Sequence, residues 1–291
     1  MEISHSLTAI DPDHLKVLVA QSSRRLGRPA LSDAAYSVGP DRLSIASHGD
    51  AQYPDALLVG VAYGHSHLDI EPLGQDGISP LLLEDMLPDL IEEVANRVQR
   101  LRLWLHKPDD ELSKTMRRLD FSLESTLIEM RCPLPLPTAA TKNEAFVFRA
   151  FIPGVDESAW LDVNRRSFHG HPEQGTWSRE DLVSRQAEAW FDPEGFITAW
   201  RDGKLAGSCW TKVHEAEGKR TGEIYVIGID PDEQGRGLGR SLVSAGFEHL
   251  AGLGCGEGFL SVRADNESAL SLYASLGLVE ARRSELWERS V

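Results

Sequence analysis

The chain has 291 residues, 41% of them hydrophobic and 26% charged, which fits two globular domains with proper cores and excludes a disordered chain. A formal net charge of −15 repels nucleic acid and anionic membranes, and no stretch approaches the ~18 apolar residues of a membrane span. The N-terminus has no basic region leading into an apolar run. Cys132, Cys209 and Cys255 lie far apart with no CxxC pair, so a cytoplasmic protein with reduced thiols is expected.

In chain order, residues 11–26 place Leu15, Leu18 and Val19 on one helical face. Arg42–Ser47, Ala56–Tyr63 and His67–Ile70 read as strands, Leu81–Gln99 as a long amphipathic helix and Leu101–Leu105 as a strand. Glu111–Leu119 reads as a helix and Phe121–Met130 as a strand ending the first half. The alternate prolines at 133, 135 and 137 favour an extended, semi-rigid linker, which divides the chain into a domain at 1–131, a linker at 132–145 and a domain at 146–291.

The second half opens with a strand at Phe146–Phe151, a helix at Glu157–Phe168, a loop at 169–177 and a helix at Arg179–Glu188. Strands at Phe196–Arg201 and Leu205–Lys212 meet at Asp202-Gly203, a strong hairpin signal. A central strand and helix follow at 222–253, then a strand at Gly258–Val262 and a helix at Glu267–Leu276. A last strand at Val279–Trp287 is expected to close the second domain.

The halves repeat. LDIEPLGQDGIS at Leu68–Ser79 parallels IGIDPDEQGRGLG at Ile227–Gly239 with one residue deleted, and RLDFSLESTLIEM at Arg118–Met130 parallels SLGLVEARRSELW at Ser275–Trp287. The copies differ where it matters: Gly-Arg-Gly-Leu-Gly-Arg in the second half is matched by Asp76-Gly77-Ile78-Ser79-Pro80 in the first. A carboxylate then stands where an anion would lie, so the first domain is expected to be structural, with any anion site of its own lost or weak.

The most informative stretch is Gly222–Arg240. Glu223, Tyr225, Ile227 and Ile229 alternate with Ile224, Val226 and Gly228 as in a buried strand. Leu238, Leu242, Ala245 and Leu250 then recur at helical spacing. Between them Gly235, Gly237 and Gly239 remove Cβ atoms beside the unpaired N–H groups of a helix start, where the dipole also favours an anion, and Arg236 and Arg240 add positive charge. A diphosphate suits such a loop. No lysine follows the glycines as a Walker A loop requires, and the spacing is not that of the dinucleotide-binding fingerprint.

Gln234, Gly237 and Gly239, read as Gln-x-x-Gly-x-Gly shortly past a strand, resemble the acetyl-CoA loop of the GCN5-related N-acetyltransferases. The resemblance implies an α/β fold of mixed-sheet layers, two tandem acetyltransferase domains, and acetyl-CoA as cosubstrate. HGHPEQG at 169–175, EAWFDPEG at 188–195, WTKVH at 210–214 and GEIYVIGIDP at 222–231 narrow it, since together they resemble the mycothiol synthase family. That family acetylates the cysteinyl amine of cysteinyl-glucosaminyl-inositol. The likeness is dense over about 146–278 and thin over 1–131.

Carried over by position, the resemblance puts acetyl-CoA on Ile227, Gly228 and Ile229, on Gln234, Gly235, Arg236, Gly237, Leu238, Gly239 and Arg240, and on Asn266, Glu267, Ser268, Ala269, Leu270 and Ser271. It puts the amine substrate on Glu173, Lys212 and Glu223, with a first-domain contact near Asp33. At Ser261 the family pattern expects a tyrosine touching the substrate, and serine is too short for that contact.

A free α-amino group titrates at about 7.7–8.0, so a base is needed near neutral pH. Glu223 is the candidate, four residues before Ile227 and therefore expected to face the same cleft. Tyr273, two turns into a helix capped by Asn266, is by spacing equally a packing residue; the resemblance makes it the acid for the leaving thiolate. His169, His171 and Glu173 lack the further ligand of a metal site, so no metal is expected. A small-molecule amine is the expected partner and a monomer the expected state. Another small amine such as an aminosugar, or a CoA-binding sensor without catalysis, stays open.

Overall fold

The computed structural model describes residues 2–4, 7–26, 30–31, 42–63, 65–74, 77–137, 143–169, 174–216 and 218–291. They divide into two units, one of Met1–Leu127 with Arg282–Val291 and one of Ile128–Ala281.

In the first unit β1 (Glu2–Ser4), β2 (Leu43–Gly49), β3 (Pro54–Tyr63) and β4 (His67–Gly74) form an antiparallel run, and β5 (Arg100–His106) lies parallel to β4. Alternation decides which helix meets which face. Leu57, Val59 and Leu73 bury with Leu18 of α1 (Pro12–Leu26), while Leu58, Leu68 and Ile70 bury with Leu83, Leu87 and Leu90 of α2 (Pro80–Val94). Ser79 caps α2 by accepting from the Leu82 N–H at 3.3 Å, with Pro80 opening the helix. Helix α3 (Asp110–Arg118) adds Leu112 and Met116 to the same core.

The two final strands are exchanged relative to the sequence reading. Strand β12 (Val279–Ser290) does not close the second unit: Ser284–Ser290 pair antiparallel with His106–Arg100 of β5, burying Trp287 in the first core. The second unit takes instead the end of β6 (Ser122–Pro133), whose Ile128, Met130 and Cys132 join its core. Alternation fixes the face a strand buries but not the edge it joins, and both strands carry the same pattern, so the sequence leaves this choice open. The expected linker also differs. Strand β6 runs through Pro133, the Leu134 N–H donates to the Gly256 carbonyl at 3.0 Å, and Leu134 and Leu136 pack on the second core. The part of that segment around Lys142 lies outside the described residues.

The second unit comprises β7 (Val147–Ala150), α4 (Glu157–Ser167), α5 (Arg179–Gln186), β8 (Phe196–Arg201), β9 (Lys204–Ala216), β10 (Lys219–Ile229), α6 (Leu238–Gly252), β11 (Glu257–Arg263) and α7 (Glu267–Ser275). Its strand order is β6-β11-β10-β9-β8-β7; β10 and β11 are parallel, and β10–β9, β9–β8 and β8–β7 are antiparallel. The hairpin at Asp202-Gly203 forms as expected, with φ of 51° and 74° at the two turn residues. On one sheet face α6 buries Leu242, Val243, Phe247 and Leu250 against Cys209, Ile224 and Leu260. On the other, α4 and α5 cover an aromatic cluster centred on Trp210, which stacks on Phe196 at 4.4 Å and meets Trp160, Trp190 and Tyr225 edge-on or tilted.

Candidate active site

Strand β10 carries the site, and a bulge decides how. Its register against β9 runs Glu223 to Lys212 and Ile224 to Thr211, then jumps to Val226 opposite Trp210, leaving Tyr225 as the extra residue. Alternation inverts there. Ile224 lies on the α6 face, Val226 on the aromatic face, and Ile227 and Ile229 again on the α6 face. A Cβ at Gly228 would touch Ser167 and Phe168 at 3.3 Å, which confirms its side. Glu223 therefore shares the aromatic face with Lys212 and does not face the same side of the sheet as Ile227, correcting the expectation. The β10–β11 ladder ends at Ile224 opposite Leu260. The last five residues of β10, Tyr225–Ile229, thus present an edge without a β11 partner.

In the first unit the segment matching Ile227–Ile229 is Leu68–Ile70. There the β4–β5 ladder continues through Ile70 opposite Leu103, and β4 pairs with β3 without a shift. The first unit has neither the bulge nor the ladder end at that level. Asp76, the carboxylate expected to oppose an anion there, lies outside the described residues.

The glycine loop leads into α6 without a side-chain cap. After β10 a short turn at Pro231–Glu233 is closed by Asp230, whose carboxylate accepts from the Asp232 N–H at 3.0 Å. Gly235 (φ 74°) and Gly237 (φ 77°) are left-handed, a conformation that costs other residues energy, and Gly237 is the N-cap of α6 with no side-chain cap. The first-turn N–H groups of α6 are thus left for an external acceptor. Gly239 serves a different purpose: a Cβ there would meet Ile229 Cδ1 at 3.0 Å and Leu272 Cδ2 at 3.3 Å, so its absence lets α6 close on β10 and α7. Arg236 is exposed at the loop, 3.4 Å from Glu233, and Arg240 donates to Ser275 Oγ at 2.5 Å. Gln234 reaches back to the Ile229 carbonyl at 3.4 Å. An uncapped helix start between two arginines fits a diphosphate such as that of acetyl-CoA.

Asn266 caps α7 by accepting from the Ala269 N–H at 3.1 Å, as expected, with Glu267, Ser268 and Ser271 exposed and Ala269 and Leu270 half-buried. Tyr273 is 6% exposed, within the α6-side core that also holds Cys209. Burial, helped by the nearby Cys209 thiol, pushes its phenol up to about 12, so it keeps its proton at any physiological pH. Cys209 itself is fully buried with its thiol pushed up, and is no nucleophile. Among the described residues no cluster of His, Cys, Asp and Glu has the makings of a metal site.

On the aromatic face, Lys212 Nζ sits 4.4 Å from the Trp190 ring centroid and 5.7 Å from that of Tyr225. Ser261 is exposed on β11, on the same face as Phe259 by alternation. Asp33 and Glu173, the two other expected substrate contacts, lie outside the described residues. Sequence reasoning missed two residues. His214 Nε2 lies 2.7 Å from Glu223 Oε2, and Asn143 Nδ2 donates to the Arg236 carbonyl at 2.8 Å while its N–H donates to Ser241 Oγ at 3.2 Å. His214 stands within WTKVH, two residues after Lys212 and so on the same strand face, which is the signal that marks it; nothing local marks Asn143.

The model of the acetyltransferase (GNAT) family matches residues 159–278, which hold β10, the glycine loop and α7. The mycothiol acetyltransferase of Frankia alni is 36% identical over 93% of this chain and 89% of its own length. The chain belongs to the mycothiol acetyltransferase family. The Streptomyces coelicolor mycothiol acetyltransferase is 46% identical over 62% of the chain and 59% of that relative. Among solved structures, a GCN5-related N-acetyltransferase from Sphaerobacter thermophilus superposes with a TM-score of 0.73 at 19% identity, covering 97% of this chain and 94% of that one. A tandem GNAT protein from the clavulanic acid biosynthesis pathway superposes with a TM-score of 0.71 at 13% identity over 99% and 98%. These two likenesses show the fold, a mixed α/β one in two similar units. No helix among the described residues is long and apolar enough to cross a membrane.

Proposed function

We propose that the chain transfers the acetyl group of acetyl-CoA to the cysteinyl amine of cysteinyl-glucosaminyl-inositol, completing mycothiol. The observation that carries the reading is the end of the β10–β11 ladder at Ile224, which leaves the edge of Tyr225–Ile229 unpaired by β11 between Glu223 and the glycine loop. Membership of the family supports the substrate.

Acetyl-CoA supplies the acetyl group as a thioester. The N–H groups at the start of α6, with Arg236 and Arg240, are assigned to its diphosphate, and the unpartnered edge of Tyr225–Ile229 to polar groups of its arm and to the thioester carbonyl. Asn266–Ser271 at the start of α7 are assigned to the same cosubstrate. Glu223 accepts the proton the amine must lose, and Tyr273, protonated in the resting site at physiological pH, gives its proton to the departing sulfur and regains one from solvent before the next turnover. Lys212, with Glu173, is assigned to the substrate's hydroxyl groups. No covalent enzyme intermediate is involved.

Ser261 favours one second reading. Exposed and short where a tyrosine is expected, it removes a substrate contact and admits a different small amine, such as an aminosugar. The test is acetyl-CoA consumption with cysteinyl-glucosaminyl-inositol beside a panel of aminosugars and amino acids, with the product mass read. N-acetylation of the cysteinyl amine in preference to the panel is expected. Turnover of another amine with this one ignored would leave the chemistry and discard the substrate. No turnover of any amine would favour a CoA-binding sensor.

A further inference from the structure

The base assigned above does not stand alone. His214 lies on β9 directly opposite Thr221, and Glu223 opposite Lys212, so the two side chains are diagonal neighbours on the aromatic face. Their contact is 2.7 Å, with 32% of the His214 side chain and 20% of the Glu223 side chain exposed. An ionised carboxylate can only accept, so Nε2 carries the hydrogen and donates to Oε2. The imidazole is itself held: its ring lies 5.6 Å from that of Phe259 on β11, the residue opposite Glu223 on its other side. Phe259 is covered in turn by Arg131, which pairs with Glu129 at 2.6 Å and with Glu257. Lys212 is directed to Trp190 and Tyr225. Among the contacts of the described residues, His214 is the group that grips Glu223.

We propose that His214 is a positioning residue for the base. Resting on the reading of Glu223 as the proton acceptor, it fixes one carboxylate oxygen through Nε2 and leaves Oε1 for the amine. A glutamate with three free torsions spends much of its time turned away from a reacting nitrogen, and one short hydrogen bond selects the productive rotamer. Histidine suits this position because its ring reaches across the strand diagonal with few torsions of its own.

The test is a double-mutant cycle on the full chain, with acetyl-CoA and the amine found to turn over. Glu223→Gln is expected to lower kcat about a hundredfold, the contribution of a general base. His214→Ala should lower kcat about tenfold with both KM values within twofold of wild type, and His214→Gln, whose amide nitrogen can replace Nε2, should recover most of that loss. In the Glu223→Gln background His214→Ala should have no further effect, because its role passes through the carboxylate. Thermal unfolding of each variant separates loss of fold from loss of positioning. A wild-type kcat for His214→Ala, or losses that multiply in the double variant, would overturn the role of His214 while leaving Glu223 as the base. A wild-type kcat for Glu223→Gln would instead remove the base assignment, and the proposal with it.

Discussion

Replacing Gly237 by alanine isolates the glycine loop, because nothing obstructs the added carbon. A Cβ there would have Asn143 Nδ2 at 4.0 Å as its nearest neighbour, so the substitution brings no clash. Its whole cost is conformational: φ is 77°, and holding a residue with a Cβ left-handed costs about 1–2 kcal/mol. The loop can bear that cost in two ways. If it keeps its shape, the second unit loses the energy in stability. If it relaxes, the shape must be restored when acetyl-CoA binds, and affinity falls by the same amount, roughly 5–30-fold. The two losses should therefore sum to about 1–2 kcal/mol, however they divide. Thermal unfolding and calorimetric titration with acetyl-CoA measure them separately. Gly237→Asn should lose less in total, since asparagine tolerates this conformation. A Gly237→Ala variant with wild-type stability and wild-type affinity would refute the claim that left-handed backbone at this position shapes the site.

Three further outcomes follow from the same geometry. Asn143→Ala removes the 2.8 Å donation to the Arg236 carbonyl, worth about 1 kcal/mol, and should raise the KM for acetyl-CoA about fivefold with kcat unchanged, as steady-state kinetics would register. The Tyr273 phenol, held up to about 12 by burial, should cause no alkaline fall in kcat below pH 10, and Tyr273→Phe should lower kcat at every pH up to that point. The same shift has a sign for stability. The unfolded chain ionises this tyrosine near pH 10 while the folded one keeps its proton to about 12, so the contribution is intact below pH 10 and is lost as pH rises from there to 12. Tyr273→Phe should lessen the fall in stability over that window, measured by denaturant titration.

Much of this molecule was legible because local sequence dictates local structure. Three glycines before an amphipathic run announced an uncapped helix start. Asp202-Gly203 announced a hairpin, Asn266 a cap, and the duplicated segments two similar halves. Even there the structure divided the glycines by purpose: Gly235 and Gly237 are required by their backbone angles, Gly239 by the closeness of Ile229 and Leu272. What the sequence could not decide were relations across strands. GEIYVIG alternates without a break, so Glu223 and Ile227 read as sharing a face. The one-residue slip against β9 at Tyr225 depends on the partner strand, and it puts them on opposite sides. The exchange of β6 and β12 was hidden for the same reason, since both strands carry equivalent patterns and only assembly selects their edges. His214 and Asn143 became visible only when chain segments distant from their targets were brought within hydrogen-bond reach. The sequence by itself determined the elements, the glycine loop before α6 and the residue types available for acetyl transfer. Tertiary structure alone decided which of them face one another, because side-chain periodicity encodes a face and pairing register encodes a neighbour.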